Sequence, residues 1–239
     1  MAAAERDDIV RALGTLGARA VTAVAEEFAA AGPDHRDLML AVVRLAGEAA
    51  VAPLVARLEP EGRGEPARGL ALLLGVTRSL AALSALASLG RSPDPAVRTA
   101  AVTSLARLDS AEAQRLVVGA LRDAAPDVRI AAARGIHWFG DASVVPILLA
   151  NLESEEDDAV QCALAAALGE LRDPRAVPNL AQLALAVSGV FQRRSATVRA
   201  AAVRALGAIG TPDAREAAAG FRADRNAEVR QAAEEVAGS

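Results

Sequence analysis

The sequence predicts an all-α protein of about seven stacked helical hairpins. Three observations carry this: a composition suited to helix packing, a unit that recurs at a near-constant interval, and apolar spacing of helical period within each unit. Hydrophobic residues make up 53% of the 239 residues and aromatics only 2%, so most of the apolar content is Ala, Leu and Val. Ala is the best helix former and lets helices approach closely, while aromatic strand formers are scarce. No segment sustains an alternation of period two, so no sheet is expected.

The repeat emerges when the chain is laid against itself, a comparison that precedes any other reading of a sequence. The clearest unit, PDVRIAAARGIHWFGDASVVPILLANL, runs from Pro126 to Leu152. Its central step is a Val-Arg pair just after an acidic, proline-bearing turn. The matching pairs are Val97-Arg98, Val128-Arg129, Val160-Gln161, Val198-Arg199 and Val229-Arg230, with looser matches at His35-Arg36 and Ala67-Arg68. The seven starts are separated by 32, 30, 31, 32, 38 and 31 residues.

Each unit justifies two helices. From Val128 the inward set is Val128, Ala131, Ala132, Gly135, Ile136 and Phe139; from Val198 it is Val198, Ala201, Ala202, Ala205, Leu206 and Ile209. Those steps draw one stripe on a helix of period 3.6. A turn follows at Gly140-Asp141, Arg172-Asp173-Pro174 or Gly210-Thr211-Pro212, and a further helix begins with Pro in or near its first turn (Pro53, Pro146, Pro178). Proline is tolerated there because few backbone N–H groups have helical partners. The organisation expected is one solenoid over 1–239: a starting helix at 1–17, then repeats at 18–48, 49–79, 80–109, 110–140, 141–172, 173–210 and 211–239. One hairpin cannot bury its apolar face alone, so neighbours must stack.

The succession Val-Arg, Ala-Ala, Leu-Gly, Gly-Asp and Val-Pro resembles the short bacterial HEAT repeat, also called the phycobilin-lyase HEAT-like repeat. The resemblance covers roughly residues 18–239 and is weakest before Ser92. It implies a right-handed α-solenoid whose second helices, those that start at the Val-Arg pairs, line a concave face. It is specific for fold and unspecific for function.

Charge and composition narrow the function classes. Net charge is −4 and the pI is near 5.4, whereas duplex-binding proteins need basic residues to displace counterions; bulk charge counts against nucleic acid. A single Cys162 excludes an intrachain disulfide and a cysteine-rich zinc site. His35 and His137 lie about three repeats apart, so no metal site is expected. The start, MAAAERDDIV, has no apolar signal core, and no stretch reaches the length of uncharged apolar residues that a membrane helix needs. A cytoplasmic protein without cofactor is the expectation. No glycine-rich phosphate loop, Ser-His-Asp order or HExxH is present. The acidic run Glu153, Glu155, Glu156, Asp157 and Asp158 reads as a solvated turn and helix N-terminus, where acids suit the dipole.

Several residues remain as candidates. The Arg after each Val reads as a structural ladder, pairing with acidic turn residues of neighbouring repeats such as Asp94, Asp127 or Asp158; Gln161 interrupts it. Trp138, at a position held elsewhere by Arg107, Glu170 and Ala208, reads either as a cap over a neighbouring helix end or as an exposed anchor on the concave side. The second reading groups it with His137, Arg134, Arg107, Glu170 and Arg204. Trp and Arg are over-represented at interface hot spots, and an acidic partner segment would suit them. The 38-residue interval places extra residues between Gln182 and Thr197. It reads either as a lengthened helix and turn or as a binding tip carrying Phe191, Arg193 and Arg194. The function expected is a non-catalytic scaffold or adaptor that grips another protein or peptide. The alternatives are a lyase-type or chaperone-like subunit acting on a bilin-carrying protein, implied by the resemblance alone, and a HEAT-type DNA-repair protein, which should show a more basic groove.

Overall fold

A helix begins at or just before each of the seven start pairs. These helices are α2 (Pro33–Ala46), α4 (Gly64–Val76), α6 (Pro95–Leu105), α8 (Pro126–Ile136), α10 (Asp158–Glu170), α12 (Ala196–Ile209) and α14 (Ala227–Ala237). Alternating with them are α1 (Ala18–Glu27), α3 (Val51–Val55), α5 (Leu83–Leu89), α7 (Ala111–Gly119), α9 (Val145–Ser154), α11 (Val177–Ala184) and α13 (Pro212–Ala219). The computed structural model describes residues 17–59, 63–185, 187–188 and 192–238, so the starting helix expected at 1–17 lies, but for Gly17, outside the described residues. The fold class is an all-α HEAT-repeat solenoid, and the chain divides into two compact units, Met1–Ala120 and Leu121–Ser239.

In the first unit α4 packs between α2 and α6, and α5 lies against α4 and α6. Leu54, Leu73, Leu74, Leu86 and Leu105 are fully buried there. Gly75 lets α6 approach so closely that an added Cβ would fall 2.2 Å from Ser104 Oγ, and that hydroxyl donates to Ala71 O at 2.9 Å. Pro33–Val55 runs 23 residues at mean hydropathy 1.8, long and apolar enough by those measures to cross a membrane. It is not one continuous α-helix. Gly47, left-handed at φ 56°, ends α2 and redirects the chain into α3, while Arg44 and Glu48 interrupt the apolar run.

In the second unit α8, α10, α12 and α14 stack side by side as one layer, with α9, α11 and α13 behind it. Ile136, Leu148, Leu164, Leu168, Leu180 and Leu206 fill the space between the layers. The expected inward stripe is observed in part: Ala131 and Ala201, at its edge, are only half-buried. Phe139 is only half-buried, because α8 stops at Ile136 and His137–Phe139 is a 3-10 turn. The small residues of the stripe set the helix spacing: a Cβ on Gly169 would lie 2.9 Å from Ala205 Cα, and one on Gly207 2.3 Å from Val236 Cγ2.

The Arg ladder is structural except at Arg68, which pairs with Glu65 of its own helix, and its partners are only in part those expected. Arg98 Nη1 donates to Ser92 O and Pro93 O, Arg129 Nη1 to Asp123 O and Ala124 O, and Arg230 Nη1 to Asp224 O and Arg225 O. Arg36 likewise reaches Phe28 O and Ala29 O. Each guanidinium thus binds carbonyls just past the preceding helix, where the dipole favours a cation by about 0.3–1 kcal/mol. A carboxylate from the next loop joins Arg129, through Glu155, and Arg199, through Asp224. Asp94, Asp127 and Asp158 are not the partners. Asp94 caps its own helix through Ala96 N and also accepts from Gly64 N; Asp127 and Asp158 are exposed in the first turns of α8 and α10. Gln161 keeps the carbonyl contact, donating to Glu155 O at 2.6 Å.

The insertion also departs from expectation. α11 ends at Ala184, and the chain forms a two-residue antiparallel ribbon, β1 (Val187–Ser188) with β2 (Gln192–Arg193), pairing Val187 with Arg193 and Ser188 with Gln192. A β-branched Val followed by Ser-Gly disfavours helix continuation. Leu185 has already turned to extended backbone, at ψ 145°.

Candidate interaction surface

The positions six and ten residues after each start point away from the core in the second unit. Arg134, Ala166 and Arg204 form one exposed row, and Trp138, Glu170 and Ala208 form the other. In the first unit the equivalents diverge, since Leu73 is fully buried and Leu45 is 57% exposed. Arg107 belongs to that unit and is exposed just past α6.

Trp138 is 64% exposed, the most exposed large hydrophobic side chain among the described residues. Comparison of equivalent positions gives the reason. Nine residues after the start, α10 and α12 carry Gly169 and Gly207, where the next helix leaves no room for a side chain. α8 carries His137 at that step. The helix passes into a 3-10 turn there, closed by left-handed Gly140 at φ 60°, and Trp138 projects outward beside the imidazole. The two ring centroids are 4.9 Å apart with planes tilted by 36°. His137 Nδ1 lies 3.1 Å from Glu170 Oε2, linking the end of α8 to the end of α10. The approach is off the line of a ring N–H hydrogen bond, so Nδ1 is buried without a hydrogen-bond partner. Arg204 Nε pairs with Glu235 Oε2 at 3.0 Å, tying α12 to α14. Arg134 stands exposed one turn before Trp138.

The insertion residues lie elsewhere on the unit. Phe191 is outside the described residues. Arg193 is in β2, and Arg194 folds back to donate to Gln182 O, where burial lowers its pKa. Arg194 lines a polar cleft of about 820 Å³ with Gln161 and the acidic run Glu153, Glu155, Glu156 and Asp158. Within that run Glu155 is already bound: Arg129 donates to it twice, at 2.8 and 2.9 Å, and the N–H groups of Glu156 and Asp157 do so at 3.1 and 3.0 Å. Burial alone would push this carboxyl up, but the hydrogen bonds more than offset it and hold it below the usual glutamate range. A general acid needs the opposite shift. No cluster of metal-ligating side chains occurs among the described residues.

Two features escaped sequence reasoning. The cleft forms because the loop after α9 meets the end of the insertion, a contact no periodicity reveals. The other is Arg172, exposed after α10 with left-handed backbone at φ 52°. Its signal was legible: twelve residues after the start, α2, α8 and α12 have Gly47, Gly140 and Gly210.

Comparison with known proteins places this geometry in a class. Residues 114–197 match HEAT repeats, and residues 198–217 match the PBS lyase HEAT-like repeat. Across those two stretches the chain carries HEAT-type repeats, a helical-repeat scaffold in its architecture. Among solved structures it is similar to human deoxyhypusine hydroxylase in complex with glycerol, at 17% identity and a TM-score of 0.40 over 94% of this chain and 96% of that one. No curated protein matches.

Proposed function

We propose that this chain is a non-catalytic scaffold that binds another protein or peptide on the exposed face of α8, α10 and α12, with Trp138 as anchor. The observation that carries the reading is the exposed indole beside His137, with Arg134 one turn before it and Glu170 against the imidazole. HEAT repeats commonly mediate protein–protein interaction, and Trp and Arg dominate interface hot spots. A tryptophan buries roughly 200 Å²; covering the part now exposed, at about 25 cal/mol per Å², contributes roughly 3 kcal/mol. Capture of partners from the native cell, followed by affinity measurement, tests this. Trp138→Ala should weaken binding by about 2 kcal/mol or more with the melting temperature nearly unchanged. Unchanged affinity with a clear loss of stability would make Trp138 a packing residue.

The match to the PBS lyase HEAT-like repeat supports a second reading, a lyase-type or chaperone-like subunit acting on a bilin-carrying protein. New bilin absorbance on mixing the chain with bilin and an apo-antenna protein would favour it.

A further inference from the structure

Arg172 occupies a position that three other repeats give to glycine, with Ser79 and Asp109 in the remaining two. Gly47, Gly140 and Gly210 are left-handed at φ 56°, 60° and 72°, and Arg172 adopts φ 52° at the same step. A Cβ in that conformation is pressed against the following carbonyl, so a side chain there works against folding. Among the described residues the Arg172 guanidinium has no hydrogen bond or ion pair to offset this. Instead the side chain lines a shallow pocket of about 540 Å³ with Arg204 and Arg215, at the ends of α10 and α12. Gly207, Ala208, Ile209 and Gly210 are also in its wall. The pocket's one carboxylate, Glu235, pairs with Arg204, and Arg215, like Arg172, has no carboxylate partner among the described residues. Three arginines thus line one pocket in a chain of net charge −4. The pocket adjoins the Trp138 surface: Arg172 is two residues beyond Glu170, whose carboxylate is 3.1 Å from His137.

We propose that Arg172, Arg204 and Arg215 form the carboxylate-binding end of the partner surface, receiving an acidic peptide segment whose neighbouring apolar side chain lies on Trp138. This rests on the reading of the Trp138 face as a binding surface. Arginine is the residue suited to planar, two-point recognition of carboxylates. The wall of small and apolar residues admits an extended peptide. Nucleic acid fits less well, because Glu235 sits among the arginines and an acidic chain offers little counterion release.

The test uses a short fluorescein-labelled peptide of glutamates around a central leucine, the same peptide with glutamines, and a single-stranded oligonucleotide of similar length. Binding is read by anisotropy and by the emission of Trp138, the sole tryptophan. The glutamate peptide should bind, shift Trp138 emission, weaken with salt, and exceed the glutamine peptide by about tenfold or more. Arg172→Gly and Arg215→Gln should each weaken it about tenfold. Arg172→Gly should at the same time hold or raise the melting temperature, by up to about 2–4 °C, because glycine accepts the left-handed backbone freely. The proposal is overturned by no detectable binding at millimolar peptide, by equal binding of both peptides, by tighter binding of the oligonucleotide, or by an Arg172→Gly variant that binds normally or melts lower. Trp138→Ala separates the two readings. If only the arginine variants lose binding, the pocket stands and the Trp138 anchor falls; if only Trp138→Ala loses it, the pocket falls.

Discussion

Removing Arg129 should break a junction that holds three segments of the second unit together. Its guanidinium donates to Asp123 O and Ala124 O, just ahead of α8, and in a fork to both oxygens of Glu155 in the loop before α10. The two side chains are only 16% and 9% exposed. Deleting one member of a buried pair costs about 3–5 kcal/mol, most of it from stranding the other charge. Here Glu155 keeps two backbone N–H donors, and water can enter the space left by the guanidinium. The expected loss for Arg129→Ala is therefore about 2–3 kcal/mol, or roughly 4–12 °C in melting temperature. Urea denaturation measures it directly, and a double-mutant cycle with Glu155→Gln isolates the coupling. The pH dependence has a definite sign. The Glu155 pKa is depressed in the folded protein, so its contribution is present above the unfolded value and is lost as pH falls through the folded one. The difference between wild type and Arg129→Ala should narrow below about pH 4. A loss under about 0.5 kcal/mol at neutral pH, within the range of an exposed pair, would show that this arginine is free for ligands.

Gly169→Ala should destabilise by about 1–3 kcal/mol, because the new Cβ would meet Ala205 backbone at 2.9 Å. Gly119→Ala, with nothing within 4 Å of its Cβ, should be neutral or stabilise by up to about 1 kcal/mol, and equal urea midpoints for the two variants would refute the close-approach argument. Cys162 is half-buried, and burial, followed by Asp158 and Glu228, raises the pKa of its thiol. It should therefore react with a disulfide reagent at pH 8 much more slowly than free cysteine until the chain is denatured; a rate equal to that of free cysteine would refute this.

Fold and surface were legible in the sequence to different depths. The Val-Arg starts locate seven helices because every repeat meets the same stacking demand, so errors in one unit are corrected by its siblings. The outward rows followed from the same register, as Arg134, Trp138, Glu170 and Arg204 show. Contacts that depend on loop paths did not follow. The ladder arginines carry the right role, and Arg129 and Arg199 do meet acidic residues of the next repeat's loop, but the recurrent partners are backbone carbonyls, which side-chain pairing rules do not see. The ribbon at Val187–Arg193 was hidden because two paired residues are too short to display a period. Phe139 aligned with core residues, yet the 3-10 turn at His137 shifts its direction and leaves it half-buried.

That turn points to how a surface can be built on a repeat. A stack imposes one geometry on every unit, so a residue that departs from its equivalents is either tolerated by packing or retained for something else. His137 stands where Gly169 and Gly207 admit the next helix, at the step where α8 passes into a 3-10 turn. Arg172 stands where glycine would relieve about 1–2 kcal/mol of left-handed strain. Arg78 shares that backbone at φ 51°, so the strain is bearable, but bearable strain is not a reason for the side chain. The two departures lie at the ends of adjacent helices, α8 and α10, whose side chains meet at the His137–Glu170 contact. Local conflicts with the fold concentrate at functional sites. Two of them, on one exposed edge and carrying an indole and a guanidinium outward, are what a binding surface requires and what stacking does not.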